Sequence, residues 1–171
     1  MQTSSAPRIV GPSDGKSGML GSIGVRFMID TDETQDGGFS LVEHPMPPKA
    51  LAAPLHKHSR EDEYSFVIEG RMGALLGDDV VYAEVGDVAF KPRDQWHTFW
   101  NAGDEPCRIL EIISPAGFEG YFAAMLDLGA DARPETIAPL ADRYGLEVDP
   151  SSIATLCARH GLDPPTRRVH G

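Results

Sequence analysis

From Met19 to about Ile113 the chain is a succession of short strand-forming runs, each cut off by a turn. Ile23 to Ile29 is apolar and partly β-branched, and Asp36-Gly37-Gly38 after it is a turn signal. Phe39 to Glu43 forms another run, stopped by Pro45, Pro47 and Pro48, which cannot donate to a central ladder. Tyr64 to Ile68 ends at Glu69-Gly70, and Met72 to Leu76 and Val80 to Val85 flank a Gly77-Asp78-Asp79 hairpin loop. Val88 to Phe90, His97 to Trp100 and Arg108 to Ile113 complete the series. Many short strands at near-regular spacing predict a β-sandwich or barrel.

The pattern changes after Pro115. Phe118, Tyr121, Phe122, Met125 and Leu126 fall on one helical stripe, and Gly129 is placed to stop it. Pro134 suits the first turn of a second helix through about Tyr144, with Gly145 as C-cap. Pro139 inside it predicts a kink or a later start. A third helix is expected from Pro150 to His160, between Asp149 as N-cap and Gly161. The expected organisation is a flexible or irregular N-terminal arm over 1–18, a β-domain over 19–115, and a helical extension and tail over 116–171. The tail from Asp163 is polar and is expected to be frayed. Gly15-Lys16-Ser17 imitates the end of a phosphate-binding loop, but Val10 stands where that motif needs glycine.

The bulk numbers narrow the partners. Fifteen Lys and Arg against 26 Asp and Glu give a net charge of −11, which argues against a nucleic-acid partner. No apolar run reaches the ~18 residues of a membrane span, and residues 1–18 lack a signal-peptide core. Cys107 and Cys157 have neither metal-binding nor disulfide-framework spacing. A cytoplasmic protein without a membrane partner is expected.

Chemistry concentrates at Leu55-His56-Lys57-His58. Two histidines one residue apart on a strand point to the same side of the sheet, so both imidazoles can reach one ion. Glu63 follows as the next strand begins and can return a carboxylate to the same place. His97 lies on a later strand. Three neutral nitrogens and one carboxylate oxygen suit one divalent ion of Fe, Mn, Co, Ni, Cu or Zn. His44, His160 and His170 are read as surface residues.

His56-x-His58-x4-Glu63-x6-Gly70 resembles the first signature of the cupin superfamily, and Gly86-x5-Pro92-x4-His97-x3-Asn101 resembles the second. Ala50 and Asp94 replace glycines common in those signatures. Asp tolerates left-handed backbone better than most residues, so the turn at Asp94 is expected to survive. Gly70, Gly86 and Asn101 read as turn residues. The resemblance implies a mainly β fold, a double-stranded β-helix or jelly-roll-like barrel, with a C-terminal α-helical extension. It implies His56, His58, Glu63 and His97 as metal ligands, and pairing through barrel edges as a homodimer. Phe27, Phe39 and Phe99 are candidates for a substrate-binding cavity wall, or plain barrel core.

Ser114-Pro115-Ala116-Gly117-Phe118-Glu119 is similar to a phrase in small quercetin-dioxygenase-like cupins. That resemblance implies a metal-dependent dioxygenase, an oxidoreductase acting on a small enol, diketone or aromatic substrate, with Glu63 as ligand and catalytic proton acceptor. Two alternatives stay open: a non-oxidative lyase, isomerase or hydrolase using the metal as Lewis acid, and a non-catalytic module binding a metal or small ligand.

Overall fold

The computed structural model of the protein describes residues 6–34 and 37–165. Asp36 of the expected turn and His170 of the expected tail lie outside them. The described chain forms strands β1 (Ser17–Leu20), β2 (Ile23–Ile29), β3 (Ser40–Met46), β4 (Leu55–His58), β5 (Asp62–Glu69), β6 (Arg71–Leu76), β7 (Asp79–Glu84), β8 (Val88–Lys91), β9 (His97–Asn101) and β10 (Cys107–Ser114). Helix α1 (Glu119–Leu128), helix α2 (Pro134–Arg143), strand β11 (Leu146–Asp149) and helix α3 (Ser152–His160) follow.

The strands make two antiparallel sheets, ordered β1-β2-β3-β10-β5-β8 and β11-β4-β9-β6-β7. Alternation sends one face of each inward. On β5 the buried positions are Glu63, Ser65 and Val67; on β10 they are Cys107, Ile109, Glu111 and Ile113. Val67, Met72, Ala74, Phe99 and Ile109 fill the lower barrel. Burying an aliphatic side chain of this kind contributes about 1.5–3 kcal/mol. The buried polar side chains His56, His58, Glu63, Lys91, His97 and Glu111 also lie inside, and the candidate site is built from them.

Several elements depart from the sequence reading. β3 runs on through Pro45 to Met46, because pairing with β2 stops at Arg26↔Glu43 and Pro45 lies past the end of that ladder. The longer strand places His44 inward, 2 % exposed, where a surface residue was expected. Ser17 and Gly18 belong to β1 rather than to an irregular arm. The segment before them is tied down by Arg26, which donates to the carbonyls of Gly11 and Asp14 at 3.1 Å. Pro139 sits within α2 without breaking it; the bond it forgoes would go to Glu135, in the first turn.

β11 is a strand where no element was expected. It pairs with β4, matching Val148 to His56 and Leu146 to His58, and so covers the free edge of the strand that carries the HxH motif. His160 is half-buried, stacked on Trp100 with ring centroids 4.4 Å apart. No helix among the described residues is long and apolar enough to cross a membrane.

Candidate metal centre

Three strands from both sheets converge on one point. His56 and His58 project inward from β4, His97 from β9 and Glu63 from β5. His56 and His97 are register partners. One ligand atom from each of the four residues lies within 4.8 Å of the other three, and all four residues are buried. His58, Glu63 and His97 are 1–3 % exposed, and His56, at 8 %, is nearest the surface.

The histidine tautomers are set from outside the cluster. His56 Nδ1 donates to the carbonyl of Pro54 at 2.8 Å, and His97 Nδ1 to that of Gln95 at 2.9 Å. A neutral ring held in this way turns an Nε2 lone pair inward. Burial pushes His56 well below its ordinary pKa and His58 down to about 4, so both rings stay neutral. Burial pushes the Glu63 carboxyl up, but facing His58, Lys91 and His97 outweigh it and hold Glu63 well below the usual carboxylate range.

This arrangement fits a cation. Neither nitrogen of His58 has a hydrogen-bond partner, although both are buried. His58 Nε2 stands 3.5 Å from Glu63 Oε1 and His97 Nε2 3.1 Å from Glu63 Oε2, so both carboxylate oxygens face ring nitrogens across the cluster. Buried polar atoms without partners are costly, and a shared divalent ion would satisfy them together. The four side chains form a cluster compatible with one metal ion.

Residues 43–113 match the family of the cupin domain. That segment is a cupin domain. Among curated proteins the chain is 33 % identical, over 60 residues, to the tetracenomycin polyketide synthase protein TcmJ of Streptomyces glaucescens. That match takes in 35 % of this chain and spans only 40 % of TcmJ. Among solved structures, the polyketide cyclase RemF from Streptomyces resistomycificus is 29 % identical, with a TM-score of 0.55 over 64 % of this chain and 80 % of RemF. KdgF from Halomonas sp. shares the fold at 15 % identity, with a TM-score of 0.58 over 67 % of this chain and 99 % of KdgF.

Of the motif's supporting residues, Asp94 and Gly70 lie in turns, whereas Asn101 ends β9. Asp94 takes the left-handed conformation, φ +62°, in place of the usual glycine, and its N–H donates to the carbonyl of His58 at 2.7 Å. Gly70, at φ +72°, has no room for a side chain: a Cβ would stand 2.4 Å from the carbonyl oxygen of Pro106. Asn101 donates to the carbonyls of Met46, Pro47 and Glu105. In the Ser114 to Glu119 phrase, the Glu119 carboxylate accepts from the N–H groups of Thr31 and Gly117, both at 2.7 Å. That carboxylate fixes the entry to α1.

The candidate aromatic residues separate. Phe99 lies inside the barrel, 6 % exposed, with the Lys91 ammonium 4.6 Å from its ring centroid. Phe27 packs in the cluster that includes Phe118 and lines a cavity of about 590 Å³ between the N-terminal segment, β2 and α1. No metal-ligand candidate lines that cavity. Phe39 is 42 % exposed just before β3.

Other residues at the site were not singled out from sequence. Phe118, 2 % exposed, sets its ring edge-on to His58 at 4.2 Å between centroids. Glu61 Oε2 faces His58 Nδ1 at 3.9 Å, and burial pushes its carboxyl up to about 7. Lys91 reaches Glu63 Oε2 at 3.1 Å and Glu111 Oε2 at 2.9 Å, and Ser65 donates to Glu111 at 2.9 Å. Burial opposes the Lys91 charge, but the two carboxylates outweigh it and keep the ammonium. A signal existed for both: Lys91 and Glu111 occupy inward positions of strands whose other inward residues are Ala89, Cys107, Ile109 and Ile113.

Proposed function

We propose that this protein is a metal-dependent enzyme that turns over a small, enolisable carbonyl compound of polyketide type without consuming oxygen. The observation that carries the reading is the buried cluster of three imidazoles and one carboxylate. Likeness to RemF and TcmJ supports the choice of substrate class. A divalent ion held by His56, His58, Glu63 and His97 would supply Lewis acidity toward a carbonyl oxygen.

The chain's own residues supply the surroundings. The buried rings of Phe99 and Phe118 stand beside Lys91 and His58, and such apolar neighbours strengthen electrostatic interactions at the cluster. Lys91 and Glu63 are fixed charges that do not reorganise when charge develops on a substrate. Glu63 serves as ligand rather than proton acceptor in this reading, because a carboxyl held so low accepts protons poorly.

The test loads metal-free protein with Zn²⁺, Mn²⁺, Fe²⁺ or Ni²⁺ and supplies 1-phenylbutane-1,3-dione in D₂O. Metal-dependent deuterium exchange or condensation, seen by NMR without oxygen uptake, is expected. Oxygen consumption matched to substrate loss would restore the dioxygenase reading. A loaded site with neither activity would favour a binding module.

We propose as well that two copies pair. The outward residues Tyr64 and Phe66 on β5, Leu110 and Ile112 on β10, and Val88 and Phe90 on β8 make an apolar face. A solvated face of an antiparallel sheet carries polar residues there. Copies with a net charge of −11 repel one another, and an uncharged patch is where that repulsion matters least.

A further inference from the structure

Lys91 is a puzzling neighbour for a metal centre. It is 1 % exposed, and its ammonium is fixed on three sides by Glu63 Oε2, Glu111 Oε2 and the face of Phe99. An ammonium so close repels a dication, so tight metal binding alone would favour a neutral residue there. Glu111 offsets part of that charge from the far side of the ammonium. The two together act on Glu63 as a rigid N–H donor, and Ser65 fixes the Glu111 oxygen that takes part.

We propose that Lys91 is a positioning residue. By engaging Glu63 Oε2 it makes the carboxylate meet a metal through one oxygen rather than two, leaving a coordination position for an oxygen of the substrate. An oxygen that accepts from an ammonium has less electron density to offer a metal. Without Lys91, Oε2 as well as Oε1 is free to donate, and a hard ion that takes six oxygen or nitrogen neighbours fills its shell from the protein. The inference rests on the metal-centre reading above. It adds the substrate class that such a position suits: compounds with two adjacent oxygens, such as enolised diketones.

The experiment uses the full chain loaded with Mn²⁺, with water-proton relaxivity per bound ion and tropolone binding as readouts. In Lys91→Met, relaxivity is expected to fall about twofold as one of two open positions closes, and tropolone affinity is expected to fall at least tenfold. Glu111→Gln keeps Lys91 on Glu63 and is expected to leave relaxivity unchanged. A purely structural role for Lys91 would lower thermal stability or metal affinity without altering relaxivity per bound ion. Should Lys91→Met fail to fold, the double variant Lys91→Met, Glu111→Leu removes the buried pair together and is expected to show the same fall. Unchanged relaxivity and tropolone affinity in a variant that binds Mn²⁺ would overturn the role of Lys91 alone. Failure of the unaltered protein to bind Mn²⁺, Zn²⁺ or Ni²⁺ would overturn the metal centre and this proposal with it.

Discussion

His56 on β4 and His97 on β9 are direct register partners, with ring centroids 4.4 Å apart. Their pairing joins the two halves of the sequence signature, and Glu63 closes the cluster from the opposite sheet. Each ring is set by a carbonyl two residues before it in its own strand or loop, so each is oriented before any ion arrives. His97→Ala is expected to lower divalent-metal affinity by more than about 100-fold, beyond the loss typical of an outer-shell partner. Titration calorimetry with Zn²⁺ measures it, and an affinity within tenfold of the unaltered protein would refute the ligand assignment.

His58 differs from its two partners. No carbonyl holds its Nδ1, and the carboxylate of Glu61 faces that nitrogen at 3.9 Å. A carboxylate behind a metal-bound imidazole raises the ring's basicity and fixes its orientation. Glu61→Ala is expected to weaken metal binding by about 10–100-fold while leaving the unfolding midpoint of the metal-free protein close to its original value. An unchanged metal affinity would show that Glu61 has no such part.

The four-residue cluster was legible in sequence because strand alternation places His56 and His58 on one side and the signature spacing carries Glu63 and His97. Asp94 was legible for a different reason: its tolerance of positive φ follows from a short polar side chain. β11 was not, since four residues between two helices are too few to show a period, and only the free edge of β4 selects a strand there. His44 was misread because the prolines behind it suggested an early end to β3. Lys91 and Glu111 look like surface charges until the strand register turns both inward.

His44 makes stability depend on pH. Its ring is buried against Phe99 and Phe122, and Nδ1 donates to the carbonyl of Gly24 at 2.9 Å. Burial pushes its pKa down to about 4, with Lys91 adding to the fall and Glu63 and Glu43 opposing it. Unfolded histidine titrates near 6.5. As pH falls through that value the unfolded chain takes up protons that the folded chain refuses, so stability is lost between about pH 6.5 and 4. By pH 5 the loss from one such group is about 2 kcal/mol. In urea unfolding of the metal-free protein, His44→Gln, whose amide can still donate to Gly24, is expected to flatten that slope. His56 and His58, which shift the same way, leave part of it. An unchanged slope would rule out His44 as a source.

The outer face of β5 and β8 bears on assembly. Tyr64 and Phe90 are register partners with stacked rings 4.9 Å apart between centroids, and Phe66 lies opposite Val88. Phe90 and Val88 remain 49 % and 56 % exposed at the edge of the six-stranded sheet. A stable pair needs about 800 Å² buried on each partner, roughly a tenth of a small protein's surface, and this chain exposes 9413 Å². The apolar face supplies the dry centre of such a contact, and the edge strand β8 supplies unpaired backbone groups beside it. Light scattering is expected to give twice the chain mass, and Phe90→Glu to give a single chain. The substitution forfeits about 0.5–1.5 kcal/mol of ring stacking, too little to unfold the barrel, so circular dichroism should be unchanged. A monomeric mass for the unaltered protein at high micromolar concentration would eliminate the pairing. A dimer that survives Phe90→Glu would place the contact on another face.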